Sequence, residues 1–331
     1  MRMTPARSSL LLLLLLLPPC ARAATDPASP AWKAAMELFA ARQDADAQVA
    51  FESMLKTDPS DHRALYQLGR LAKRKNDWAR VTALYERCTQ LAPNEATYWS
   101  DLGEAYGKLT KRAGFFEQLS LAGKCRAALE KSVALEPDNL ELRMGLIDFY
   151  KQAPGIAGGS TSKALAQAAE IKKRDAYTGA MATGNLYLYD KDWADAEQAF
   201  KEAARLKPEN LDPPFALGQM FAARGRYAEA FDLFEDLLAR NPGNFGALYQ
   251  VGRTAALSGQ RLERGEAVLR TYLSQPQRAA NLPTHAQALL RLGEILAKKG
   301  DTAGARAAFE EALKKDPGFK DAAEALKHLP A

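Results

Sequence analysis

The chain has 331 residues, of which 47% are hydrophobic and 26% charged, with a formal charge of +5. That balance excludes wholesale disorder and leaves room for a large buried core. The charge is too small for a nucleic-acid-binding field, and no polybasic membrane patch stands out.

In chain order, the first feature is the opening stretch MRMTPARSSLLLLLLLLPPCARAATDP. Arg2 and Arg7 precede an unbroken leucine run from Leu10 to Leu17, followed by a Pro-Pro break and the small residues Ala21 and Ala23. These are the parts of a signal peptide in their usual order, and the apolar run is shorter than the roughly 20 residues a spanning helix needs. Cleavage is expected after about Ala23, leaving residues 24–331 as an exported chain, periplasmic or secreted. Removing residues 1–23 takes away Arg2, Arg7 and Arg22 and no acid, so the formal charge falls from +5 to +2. A lipid anchor at Cys20 is the rival reading, but Leu17, Pro18 and Pro19 are not the small residues that such a site prefers. Cys88 and Cys125 then remain, too few for a disulfide framework even in an oxidising compartment. Whether they pair is open.

Prolines punctuate the rest. Pro59, Pro93, Pro137, Pro208, Pro242 and Pro317 each close a run with helical patterning, and the intervals from Pro59 to Pro93 and from Pro208 to Pro242 are both 34 residues. Proline cannot continue a helix and restrains the residue before it. Between the prolines a pattern recurs: Trp99, Leu102, Gly103 and Tyr106 in one half, and Ala47-x3-Phe51, Ala196-x3-Phe200, Ala230-x3-Phe234 and Ala305-x3-Phe309 in the other. Small residues at the glycine and alanine positions admit a neighbouring helix backbone, and the large ones fill the holes between helices.

On these motifs the chain resembles the tetratricopeptide repeat (TPR) proteins, whose period is 34 residues. The resemblance implies an all-α fold: a right-handed superhelical solenoid of about eight helix-turn-helix units and a C-terminal capping helix. The units are expected at about 28–61, 62–95, 96–139, 140–176, 177–210, 211–244, 245–285 and 286–319, with the cap at 320–331. Unit three is about ten residues too long, unit four has Arg174 where a closing proline is expected, and unit seven runs into the loop SQPQRAANLP.

The glycine-dense run QAPGIAGGS, residues 152–160, raises the question of a phosphate loop. Ser160, Thr161 and Ser162 separate its last glycine from Lys163, and a helical rather than a strand pattern precedes it, so a Walker loop is excluded. It reads as the inter-helix turn of unit four, with Ser160, Thr161 or Ser162 as the next N-cap. Similar inserts occur in exported bacterial TPR proteins, which this chain resembles. The second insert, residues 107–124, carries Phe115 and Phe116, which either fold back onto the lengthened helices or form an exposed contact patch.

Catalysis finds no support. His62, His285 and His328 are far apart and lack metal-ligand spacing, and no catalytic motif appears, so no cofactor, metal site or catalytic residue is expected. The resemblance implies instead a concave groove lined by first helices, at positions 2, 5, 9, 12 and 13 of each unit. In unit two these are Arg63, Tyr66, Arg70, Lys73 and Arg74, a cationic face suited to carboxylates. Position 5 elsewhere gives an apolar ladder of Met144, Met181, Phe215, Tyr249 and Leu290, and position 9 gives Asn185, Gln219 and Arg253, which can bond to a peptide backbone. The carboxylate clamp of chaperone-binding relatives is not reproduced, because Gln67 stands where an asparagine is expected and unit three presents Asp101 and Glu104. The expected function is a non-enzymatic scaffold that holds a protein or peptide segment in the groove, in the cell envelope. The alternative is a structural subunit of an envelope assembly or secretion complex that uses the inserts at 107–124 and 152–162 as its contact surface.

Overall fold

The computed structural model describes residues 29–111, 113–276 and 282–330. The signal-peptide reading, the cleavage at Ala23 and the lipid anchor at Cys20 fall outside those residues. Among the described residues there are seventeen α-helices and no strand.

The helices come in pairs: α1 (Pro30–Ala40) with α2 (Asp44–Thr57), α3 (His62–Arg74) with α4 (Trp78–Leu91), α5 (Ala96–Thr110) with α6 (Phe115–Leu135), and α7 (Leu140–Gln152) with α8 (Thr161–Lys172). Then follow α9 (Ala176–Tyr189) with α10 (Trp193–Leu206), α11 (Asp212–Ala223) with α12 (Tyr227–Arg240), α13 (Phe245–Ser258) with α14 (Leu262–Leu273), and α15 (His285–Lys298) with α16 (Thr302–Lys315). A short α17 (Lys320–Lys327) closes the chain on α16. Eight pairs and a final helix are the predicted units, and the fold is an all-α solenoid of helical repeats. The chain divides into two compact bodies within α8, between Ala164 and Leu165.

Local chemistry sets the ends of these helices. The side chains of Asp61, Asp77, Asn139, Asp175, Asn244 and Asp301 accept from backbone N–H groups in the first turn of the helices they precede. Thr284 and Gln287 form a capping box on α15. Asp175 also explains how unit four ends without proline: its carboxylate takes the Thr178 N–H at 2.9 Å and starts α9 four residues after α8 stops. That bond holds the Asp175 carboxyl below its usual range. The turn inside a pair uses one left-handed residue at a fixed place, with Arg42, Asn76 and Lys191 at φ of 61°, 56° and 63°, and Gly225 at 73°.

Within a pair the two helices approach at a glycine. A Cβ at Gly69 would lie 2.3 Å from the buried ring of Tyr85, and one at Gly218 would lie 2.6 Å from the ring of Phe234. In both cases the aromatic follows sixteen residues later, so glycine and ring are fixed by one sequence register. Between pairs, each second helix is tied by charge to the next second helix or to the turn leading into it: Arg226 to Glu197 at 2.5 Å, Arg264 to Glu235 at 2.8 and 2.9 Å, and Lys299 to Glu266 at 2.8 Å. The Tyr106 hydroxyl donates to Glu86 at 2.6 Å and the Tyr150 hydroxyl to Glu130 at 2.7 Å, each reaching back to the preceding repeat.

The glycine run is an inter-helix turn. After α7 it makes one 3-10 turn at Gly155–Ala157, turns left-handed at Gly158 (φ 97°), and brings the Ser160 hydroxyl to accept from Lys163 N at 3.3 Å. A side chain at Gly159 would collide with the Ala153 carbonyl, its Cβ falling 1.7 Å away. Of the three candidate caps, Ser160 is the one that accepts at α8.

Candidate functional site

In the first body α3 and α5 lie side by side. The Tyr66 and Tyr98 rings are 4.8 Å apart, and His62 Nδ1 and the Tyr98 hydroxyl are 2.9 Å apart. The structure corrects the free cationic face read at unit two. Arg63 pairs with Asp61 at 3.4 Å, Lys73 with Glu104 at 2.5 Å, and Arg74 with Asp44. Arg74 also donates to the Phe39 carbonyl at 3.1 and 3.2 Å and stacks 3.8 Å over the Phe39 ring. It fastens the first repeat to the second. Tyr66 donates to Asp101 Oδ2 at 2.6 Å, and burial followed by that bond pushes its phenol well above the usual range. Burial raises the Asp101 carboxyl too, against the opposing pull of Tyr66 and Lys73. Arg70 alone of these cations makes no close ion pair among the described residues, though its charge acts on the Asp101 carboxylate; it is exposed, bonds to Gln67 Oε1 at 3.1 Å, and sits 4.7 Å over Phe39. The carboxylates that this face was expected to attract are mostly supplied by the chain itself. Met144, half-buried on α7, belongs to this body too.

The second body is different. Successive first helices α9, α11 and α13 carry Met181, Phe215 and Tyr249 at one position, spaced 34 residues apart, and Asn185, Gln219 and Arg253 one helical turn further on. Residues four apart share a helix face. Met181 and Phe215 are half-buried, Asn185 and Gln219 are exposed and Arg253 is half-buried. Among the described residues Asn185, Gln219 and Arg253 have no side-chain hydrogen-bond or ion-pair partner. Tyr249 and Leu290 are 7% and 3% exposed, so the ladder sinks into the core at its far end.

On α15 the position of Asn185, Gln219 and Arg253 is filled by Glu294, which sequence reasoning did not single out. Arg291 Nη1 holds both of its oxygens at 2.8 and 2.9 Å, and Arg291 also bonds to Tyr249. Burial works against the arginine's charge, and Glu294 and Tyr249 more than offset it. Arg291 Nε is a buried donor without a partner. Counting the ninth residue of the last unit would have found Glu294; the reach of Arg291 back to Tyr249 has no sequence signal.

The insert phenylalanines do not fold back: Phe115 and Phe116 are 61% and 84% exposed at the start of α6. Cys88 and Cys125 are buried and unpaired, with Cys88 donating to the His62 carbonyl at 3.3 Å. No helix among the described residues is long and apolar enough to cross a membrane.

Tetratricopeptide repeat family models match residues 181–245 and 286–319. A crystal structure of a tetratricopeptide repeat protein from Parabacteroides merdae is similar over 80% of this chain and 97% of its own, at 15% identity and a TM-score of 0.54. One chain of the crystal structure of the APC/C hetero-tetramer Cut9-Hcn1 is similar over 91% of this chain and 55% of its own, at 15% identity and a TM-score of 0.50. The chain thus spans about half the length of that second protein. At such identities the likeness is one of fold. Helix pairs, register and family matches agree: the chain carries tetratricopeptide repeats.

Proposed function

We propose that the protein is a non-enzymatic interaction scaffold that takes an extended or helical segment of a partner protein on the first-helix face of its second body, and that it works outside the cytoplasm, in the cell envelope or beyond. The row Asn185, Gln219 and Arg253 carries this reading. Buried polar groups in a folded chain find partners, and exposed ones in a regular row beside apolar side chains are free to meet a backbone. Met181 and Phe215 supply the apolar half of such a contact, and Asn185 and Gln219 each offer both a donor and an acceptor. Arg253 adds preference for an acceptor-rich segment. A preformed face leaves only the partner to be ordered on binding. The location rests on the leader-like residues 1–23 alone.

Affinity purification of the protein from its own envelope fraction tests this. A protein that co-purifies with the wild type and is lost from the Gln219→Ala/Arg253→Glu variant, at unchanged helical content, is the expected result. An identical set of co-purifying proteins contradicts it.

A further inference from the structure

The ten extra residues of unit three lengthen α6 to 21 residues, against 14 in α4, α10 and α12. The first buried residue of α6 is Leu121; residues 115–118 and 120 are exposed. At this tip Phe115 and Phe116 meet edge to face, with centroids 5.5 Å apart, while remaining 61% and 84% exposed. At roughly 200 Å² per phenylalanine, the two leave about 300 Å² of apolar surface in water at one end of a helix. By sequence the insert leans positive: residues 107–124 hold four basic residues and the single acid Glu117. Lys108 and Lys111 are both exposed, with the Lys108 ammonium 5.7 Å over the Trp78 ring.

We propose that this tip docks the protein onto a membrane surface bearing anionic phospholipid. Phe115 and Phe116 enter the boundary between headgroups and acyl chains, Lys111 faces the lipid phosphates, and Lys108, whose ammonium lies over the Trp78 ring, adds positive charge one helical turn away. Aromatic side chains favour that depth, and cations gain near an anionic leaflet over a distance that salt shortens. A lipid surface needs no complementary pocket, whereas a stable protein interface needs about 800 Å² from each side, far more than this tip offers. The contact is peripheral. It involves the first body alone and stands or falls separately from partner binding by the second.

Flotation of the protein, purified from its own cells, with vesicles of phosphatidylcholine and phosphatidylglycerol in equal parts tests the assignment. Expected are flotation with these vesicles and not with phosphatidylcholine alone, a loss of at least about tenfold in the Phe115→Ser/Phe116→Ser variant, and weakening by Lys111→Glu and by added salt. Since neither phenylalanine is in the core, these variants keep wild-type circular dichroism. Phe116→Trp keeps the binding, and its added emission shifts to the blue on anionic vesicles. Failure of the wild type to float, equal flotation of the double-serine variant, or an unshifted tryptophan overturns the proposal. So does a double-serine variant whose only loss is a co-purifying protein.

Discussion

The Arg74 guanidinium lies 3.8 Å from the centroid of the Phe39 ring and donates to the Phe39 backbone carbonyl at 3.1 and 3.2 Å. One side chain thus satisfies the last turn of α1 and, through Asp44, the first turn of α2. Arg74→Ala should cost about 2 kcal/mol, the scale of a charged hydrogen bond together with a cation–π contact. The loss should concentrate in α1 and α2, because terminal repeats unfold most readily. Hydrogen exchange read by mass spectrometry checks this: protection falls over residues 30–57 and holds over the second body. Arg74→Lys should recover only part, since an ammonium cannot reach both acceptors in the same plane.

Lys191 holds the left-handed turn between α9 and α10 at φ 63°, where the next repeat uses Gly225 at 73°. A side chain in that region costs roughly 1–2 kcal/mol, and glycine gives back part of this through its freer unfolded chain. Lys191→Gly should therefore stabilise the protein by about 0.5–1 kcal/mol, seen as a higher midpoint in urea. An unchanged or lower midpoint contradicts that account of the turn.

Much of this was legible because it is local. Cys88 and Cys125 fall on small-residue positions of their second helices, and Gly69 and Gly218 announce the close approach to Tyr85 and Phe234 by a fixed count of sixteen. The unit-two face failed for the opposite reason. Position numbers place Lys73 and Arg74 on one helix face, but whether their charge is spent depends on Glu104 and Asp44, thirty-one and thirty residues away, at the reach of flexible side chains. The register that predicted Asn185, Gln219 and Arg253 as a row says nothing of who pairs with whom. Phe115 and Phe116 were ambiguous in the same way, because the insert departs from the period and carries no register at all.

Burial pushes the Cys88 thiol up to about 12 and the Cys125 thiol up to about 11. Both should resist iodoacetamide at about pH 8 in the folded chain and react on unfolding, since the thiolate is the nucleophile. For an acid whose folded pKa lies above its unfolded one, the stability it contributes is full below the unfolded value and is lost as pH rises through the folded one. With unfolded thiols ionising near 9, the melting temperature should decline between about pH 9 and 12. Cys88→Ala should make that alkaline decline shallower, as followed by circular dichroism. Rapid native-state alkylation of either cysteine would contradict the burial argument.

The most direct test of partner binding on the second body is photo-crosslinking in living cells. A benzophenone side chain is placed in turn at Asn185 and Gln219 and, as a control, at Gln198, which is exposed on α10. The expected result is a discrete adduct to one partner protein from Asn185 and Gln219 and none from Gln198. Adducts that form equally at Gln198, or none from either row position, would contradict the claim that the first-helix face holds a partner.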